Sequence, residues 1–485
     1  MIDGRRHDST AAGTMAPFAQ ASISPTDGHR NWSIDPASLG DRSFRIDYGI
    51  RYAYVTGAMY KGIASKELVV AMAQRGLMGY LGTGGLDLRE VSSAIDYIKT
   101  KIRDGQSYGM NLLADATRPT LEEQTVDLYL EKNIRYVEAA AYLQPTRALV
   151  RYRVRGARRS PQGKISVPNR IMAKVSRPEV AEQFMRPAPI RIVESLLQAG
   201  QITTEEADIA RYVSVAQDVC VEADSGGHTD RGVAYVLMPA MLSLRKEVMS
   251  QNRYLEPIRI GAAGGIGTPE AAAAALILGA DFIVTGSINQ CTVEANTSDR
   301  VKDMLQTMNV QDTDYAPAGD MFEVGAKVQV LRKGLLFPAR ANKLYELYMR
   351  HNSWGEIDQK IRAQIEQKYF RRSFGEVWAE TQEHCRKTAP SLLDDIDKNL
   401  KRKMAMVFKW YFVHSTRLAL NGDEEQAVDY QVQCGPALGA FNQWVRGSDI
   451  ENWRQRYVAD IAERIMNGAA QLLGDRLAAI ARNTA

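Results

Sequence analysis

Residues 222–230 read EADSGGHTD, which sets one histidine, His228, directly behind the glycine pair Gly226–Gly227. An imidazole titrates near neutrality, so it can give or take a proton, or hold developing negative charge. The two glycines ahead of it let backbone approach a flat ligand closely. Downstream, GAAGGIGTPEA (261–271) and FIVTGSINQ (282–290) each place glycines between an apolar run and a helical pattern. Amides exposed at such turns cradle phosphate. Gly264, Gly265, Gly286 and Ser287 are therefore candidate phosphate residues, although each glycine taken alone is equally well a tight turn. The other histidines, at 7, 29, 351, 384 and 414, lie in no comparable loop and read as surface or core residues.

Further polar residues fall at the ends of expected strands. Asn111, Glu138, Glu222 and Asp224 do so, and Lys174 lies within one. A buried charge must be paired or must serve a ligand. Lys174 and Glu222 fit an interior ion pair; Lys174 fits equally a cation that steadies negative charge on a bound ring. Gly57, Ala58 and Met59, after the first expected strand, offer small side chains and amides to a planar group.

These residues need a scaffold that brings strand ends together. Short apolar runs at 52–55, 79–81, 108–112, 134–137, 171–175, 219–221, 258–260 and 282–284 predict strands. Helical patterns separate them, as at 66–75, 88–101, 121–132, 179–185 and 269–278, the last with Thr268 as N-cap and Pro269 at its first position. About eight strand–helix units of this kind predict a parallel (β/α)8 barrel (a TIM barrel), with a doubly wound open sheet as competitor. Polar strand ends favour the barrel, whose sites lie at the C-terminal mouth, and the loops after its seventh and eighth strands are its usual phosphate site.

The expected organisation is a loosely ordered lead-in over 1–45, a barrel over 46–339 with an insertion around 146–211, and a helical region over 340–485. The insertion holds Arg147, Arg151, Arg153, Arg155, Arg158, Arg159 and Lys164, then two helices over 190–211. Its cations read as a solvated loop or as a dock for an acidic partner or a phosphate-bearing arm. After residue 289 the strand pattern fades, and aromatic-rich amphipathic helices follow from 340.

Across 485 residues there are 61 basic and 57 acidic side chains, a net charge of +4. That balance argues against nucleic acid or an anionic membrane as partner. The four cysteines are scattered without CxxC spacing, which argues against a metal site and fits a reducing cytoplasm. No secretory start is evident, and the most apolar window, 271–284, is too short to span a bilayer.

Taken in order, AYVTGAMYKGIAS (53–65), GYLGTGGL (79–86), YGMNLL (108–113), IMAKVSRPEVA (171–181), EADSGGHTD, residues 261–295 and QVQCGPALGAFNQWVRGS (431–448) resemble the PfaD family. These are stand-alone enoyl reductases within the FMN-dependent nitronate monooxygenase superfamily, and they serve polyunsaturated fatty acid and polyketide synthases in trans. The resemblance runs from about residue 47 and fails in the lead-in. It implies FMN across the barrel mouth, with its phosphate on Gly264, Gly265, Gly286 and Ser287. Its ring would lie near Gly57, Ala58, Met59, Asn111, Lys174, Glu222, Gly226 and Gly227, with His228 on the substrate side. NADPH or NADH would supply the hydride, and an acyl carrier protein would present the enoyl thioester. The C-terminal helices would form a lid over the acyl chain. A nitronate monooxygenase is the rival enzyme, and a non-catalytic scaffold is the rival from another class. Oligomeric state, a homodimer included, is left open by these residues.

Overall fold

The expected apolar runs form strands β1 (Tyr54–Thr56), β2 (Met78–Leu81), β3 (Gly109–Leu113), β4 (Tyr136–Ala140), β5 (Arg170–Val175), β6 (Asp218–Glu222), β7 (Arg259–Ala263) and β8 (Phe282–Thr285). In this computed structural model, which describes residues 32–114, 119–252, 254, 256–388, 390–394 and 396–484, they pair in sequence order and close on themselves. All pairs are parallel, and β1 meets β8 through Tyr54↔Ile283 and Thr56↔Thr285. Such strands are covered on both faces, which is why they read as continuous apolar runs rather than alternations. The TIM-barrel expectation holds, and the open sheet is excluded.

Several of the intervening helices begin where the sequence supplies caps. Asp87 and Glu90 form a reciprocal capping box at Leu88–Lys101, as do Thr203 and Glu206 at Thr204–Ile209. Thr268 caps Pro269–Ile277 through the Ala271 amide. No described helix is long and apolar enough to cross a membrane.

The lead-in differs from expectation at its end, residues 1–31 lying outside the described residues. Asp41 caps the helix Arg42–Tyr48, which seals the N-terminal end of the barrel. Its Phe44 stacks on Phe282 at 4.2 Å, and the Tyr48 hydroxyl donates to Asp218 Oδ2 at 2.8 Å. Arg259, fully buried, bonds Asp218 Oδ1 at 2.6 Å and Asp47 Oδ2 at 2.7 Å. One guanidinium thus ties β7 to β6 and to the sealing helix.

Beyond β8 two further strands form where the apolar pattern fades. β9 (Thr313–Pro317) and β10 (Lys327–Leu331) pair antiparallel, and β10 also takes the two-residue strand Gly227–His228. β9 reads TDYAP, with an acid inside and a proline at its end, so it lacks the apolar run that marks the barrel strands.

The region expected to be one helical unit over 340–485 divides between two cores. Phe322, Phe337, Phe370, Phe374, Trp378, Phe408, Tyr411 and Phe412 pack together in a separate aromatic core. From Tyr430 to Ala470 the chain rejoins the barrel core instead. The helix Val458–Thr484 lies along Pro269–Ile277 so closely that a Cβ at Gly468 would stand 2.6 Å from Pro269.

Arg259→Met strands the buried Asp218 carboxylate, and truncating one partner of a buried ion pair costs about 3–5 kcal/mol. The urea midpoint should fall by that equivalent, and Arg259→Met with Asp218→Leu should recover part of it. No loss in the single variant would show that the pair does not seal the barrel.

Candidate active site

The polar residues singled out from the sequence, Asn111, Glu138, Lys174 and Glu222, lie from the middle to the C-terminal end of four neighbouring strands, β3 to β6. Glu138, buried on β4, is their centre. Its Oε2 accepts from the Ala58 amide at 2.9 Å, and its backbone carbonyl accepts from Asn111 Nδ2 at 3.1 Å. Lys174 Nζ lies 3.2 Å from Glu222 Oε1 and 3.5 Å from Glu138 Oε1. Burial disfavours the Lys174 charge, but Glu222 and Glu138 more than offset it and raise its pKa. Burial pushes the Glu138 pKa up, against the opposing pull of Lys174 and the Ala58 amide. Glu138 Oε1 is buried and makes no hydrogen bond. The ion pair expected for Lys174 is therefore present, with Glu138 as a second partner.

Gly57 donates its amide to Thr285 O at 2.9 Å, which fixes the small-residue turn Gly57, Ala58 and Met59 against β8. Two strands along the rim, after β7, Gly264 and Gly265 hold φ of 86° and 74°. A Cβ at Gly264 would meet Ala223 O at 2.5 Å, so the loops after β6 and β7 touch. Gly265 and Gly286 face open space, and Gly286 precedes the short helical turn Ser287–Cys291. Ser287 Oγ accepts from the Gly435 amide at 2.9 Å and keeps its own O–H to donate. Open glycines at a helical start are what an anion cradle requires.

His228 stands on the two-residue strand with Gly227 (φ 88°), held by Val328↔His228 and Gln329↔Gly227. Its Nε2 lies 2.9 Å from Asp320 Oδ1, and its side chain is 49% exposed, open enough to meet a ligand. Burial lowers its pKa, whereas the bond to Asp320 and the charges of Asp320 and Glu222 raise it; the net direction is up. His228 correspondingly helps hold the Asp320 carboxyl low, against burial. No hydrogen bond to Nδ1 occurs among the described residues.

Two parts of this site escaped the sequence reading. Asp320 sits in AGD (318–320), where nothing but proximity in space distinguishes it from other loop acids. Gly435 carried a visible turn signal with Pro436, yet its neighbours prove to be the Gly226 amide, Gln329 and Ser287. The arginine cluster is not part of the site, and its cations are mostly wired internally. Arg147 bonds Ser195 and Gln201, Arg151 bonds Asp127, Arg153 bonds Asn169 O, Arg155 bonds Glu206 and Arg159 bonds Asp208. Three of these partners are carboxylates, and two of those, Asp127 and Asp208, are well exposed, so the cluster is spread over local contacts at the surface.

Residues 43–322 match the family model described as nitronate monooxygenase. The chain belongs to the nitronate monooxygenase family. Residues 351–430 match a second model, the inserted helical domain of [acyl-carrier-protein] S-malonyltransferase. The chain is 55% identical over 444 residues to the polyketide biosynthesis protein PksE of Bacillus subtilis, covering 92% of this chain and 58% of that one. It is 42% identical over 441 residues to one of the polyunsaturated fatty acid synthase subunits of Thraustochytrium, covering 90% and 29%. The chain thus spans less than two thirds of the length of the curated relatives it matches. Among solved structures, the enoyl reductase domain of MlnA, from the macrolactin biosynthesis cluster of Bacillus amyloliquefaciens, has 46% identity and a TM-score of 0.88, covering 91% and 99%. FabK of Thermotoga maritima, at 18% identity and a TM-score of 0.53, shares the fold. These matches bear out the resemblance drawn from the motifs, and they support an oxidoreductase.

The His228 pKa should lie above the ordinary 6.5, so its stabilising contribution is full below that pH and is lost as pH rises through the raised value. An NMR titration of the His228 ring checks this. Asp320→Asn keeps a polar partner but removes the charge, and should lower the His228 pKa; an unchanged value would detach Asp320 from the imidazole.

Proposed function

We propose that the chain is an FMN-dependent enoyl reductase acting in trans, which reduces the α,β double bond of an enoyl thioester borne by an acyl carrier protein. NADPH or NADH serves as hydride donor. The observation that carries this reading is the single mouth shared by an open glycine cradle and a histidine paired with a carboxylate. The 46% identity to an enoyl reductase domain supports it, as does the helical insert over 351–430.

The residues fit FMN. A Cβ at Gly265 or Gly286 would project into open space beside backbone amides. Gly264, Gly265, Gly286 and Ser287 would hold the phosphate. Gly57, Ala58, Met59, Asn111, Lys174, Glu222, Gly226 and Gly227 would border the ring. When bound, FMN supplies hydride transfer between a nicotinamide and the β-carbon of the unsaturated thioester.

The protein's own residues then manage charge and protons. Asp320 holds His228 Nε2–H and so fixes the ring, leaving Nδ1 to act on the substrate. From Nδ1, His228 steadies the negative charge gathering on the thioester oxygen or protonates the α-carbon. Its raised pKa favours the proton-bearing form that either task needs. Lys174, locked between Glu138 and Glu222, presents a fixed positive charge rather than a mobile one.

Anaerobic absorbance of the flavin band tests the reading. NADPH should bleach the band and a short enoyl thioester should restore it. His228→Ala should slow the restoration by roughly 10²–10⁴-fold and leave the bleaching unchanged. Bleaching without restoration, together with oxygen-dependent turnover of nitronates, would favour the monooxygenase activity of the family. A chain that takes up no FMN would overturn the assignment.

A further inference from the structure

Asp224, half-buried just past the end of β6, takes no part in the steps above. Its carboxylate nevertheless collects three donors. Oδ1 accepts from Thr229 Oγ1 at 2.7 Å, and Oδ2 accepts from the Tyr315 hydroxyl at 2.5 Å and from Gln329 Nε2 at 3.3 Å. Its amide donates to Gly232 O at 2.8 Å, which closes the loop that carries His228. Burial and the bond to Asp224 push the Tyr315 pKa up to about 12, so the phenol stays a donor.

Tyr315, Gln329 and Gly227 form one row across the three-stranded sheet, and Ala316, Val328 and His228 form the next. Neighbouring rows of a sheet face opposite ways. Asp224 therefore grips the row before the histidine through Tyr315 and Gln329, and the residue after it through Thr229. Among the described residues it makes no hydrogen bond to the imidazole, whose partner is Asp320. On the cradle side, a Cβ at Gly264 would stand 3.0 Å from Asp224 O. One residue thus abuts the glycine cradle with its backbone and brackets the histidine with its side chain. The charges that raise the His228 pKa are those of Asp320 and Glu222, so Asp224 reaches the ring through position.

We propose that Asp224 is a positioning residue, which fixes His228 relative to the glycine cradle and to Asp320 so that the ring meets the substrate. This rests on the enoyl thioester reading above, in which His228 acts on the substrate. Asp320 orients the ring, and Asp224 holds the backbone that bears it.

NMR titration of the His228 ring in the full chain tests the clamp without turnover. Asp224→Ala frees three donors, and the His228 pKa should drop towards the ordinary 6.5 as the bond to Asp320 loosens. Asp224→Asn keeps an acceptor for Thr229, and Tyr315 and Gln329 can turn an oxygen towards its amide, so the raised value should survive. Thr229→Val and Tyr315→Phe each cut one bond and should shift the value part of the way. An unchanged pKa in Asp224→Ala overturns the proposal, as does an unchanged pKa in both single-bond variants should Asp224→Ala fail to fold. Flavin reoxidation by a short enoyl thioester supplies a second readout. Asp224→Ala should slow it about 10–100-fold, the scale that misplacement by about 1 Å costs. The same change made in His228→Ala should add little, whereas full additivity would mean that Asp224 acts by another route and would overturn the proposal. Absence of reoxidation in the unmodified chain would sink the enzymatic reading alone, since the titration still decides the clamp.

Discussion

A Cβ at Gly226 would stand 2.6 Å from the Cα of Cys434, and one at Gly435 would stand 2.8 Å from the Gly226 amide nitrogen. Only two bare backbones pass at that separation. Three parts of the molecule converge there: the loop after β6 that carries His228, the turn after β8 through Ser287, and the segment returning from the helical insert. Gln290 Nε2 donates to Gln433 O at 2.5 Å in the same place. The position of the histidine relative to the glycine cradle therefore depends on a contact in which neither takes part.

Charge is treated differently at the two ends of the barrel. At the closed end Arg259, Asp218, Asp47 and Tyr48 satisfy one another, a structural use of ions. At the open end Lys174 faces two carboxylates, and one oxygen of Glu138 is left without a hydrogen bond. A complete network rigidifies, whereas at the open end acceptor capacity is left over. The helical insert reaches the same mouth from outside. Gly319, whose Cβ would lie 2.7 Å from Phe412 of the insert core, immediately precedes Asp320. Packing in the aromatic core is thereby connected to the carboxylate that orients His228.

The barrel was legible because parallel strands covered on both faces must be apolar throughout, and each ends in the polar or glycine residue that the mouth requires. Asn111, Glu138, Lys174 and Glu222 could be picked out as polar interruptions of that rule. β9 could not, since Asp314 and Pro317 conceal a strand whose pairing partner lies across a turn. Asp320 was invisible because its role comes from a fold-back that carries no local pattern. The arginines of 147–159 are dense in sequence, but the fold gives them separate partners, carboxylates for only Arg151, Arg155 and Arg159. Residues 430–470 looked like a continuation of the helical region, since a helix that rejoins an earlier core has the same amphipathic period as one that does not.

That return has a consequence for biosynthesis. Arg51 and Arg75, at the start of the barrel, bond Glu463 at 2.7 Å each, and Trp32 lies against Gly474. A ribosome releases the chain in order, so all eight strands emerge before the helix that covers the outer faces of Lys66–Gln74 and Pro269–Ile277. Until that helix arrives, the nascent barrel exposes an apolar flank, and contacts spanning more than four hundred residues have to wait. The helical insert, synthesised in between, is anchored to the barrel at both of its ends and so ripens as a loop rather than a tail.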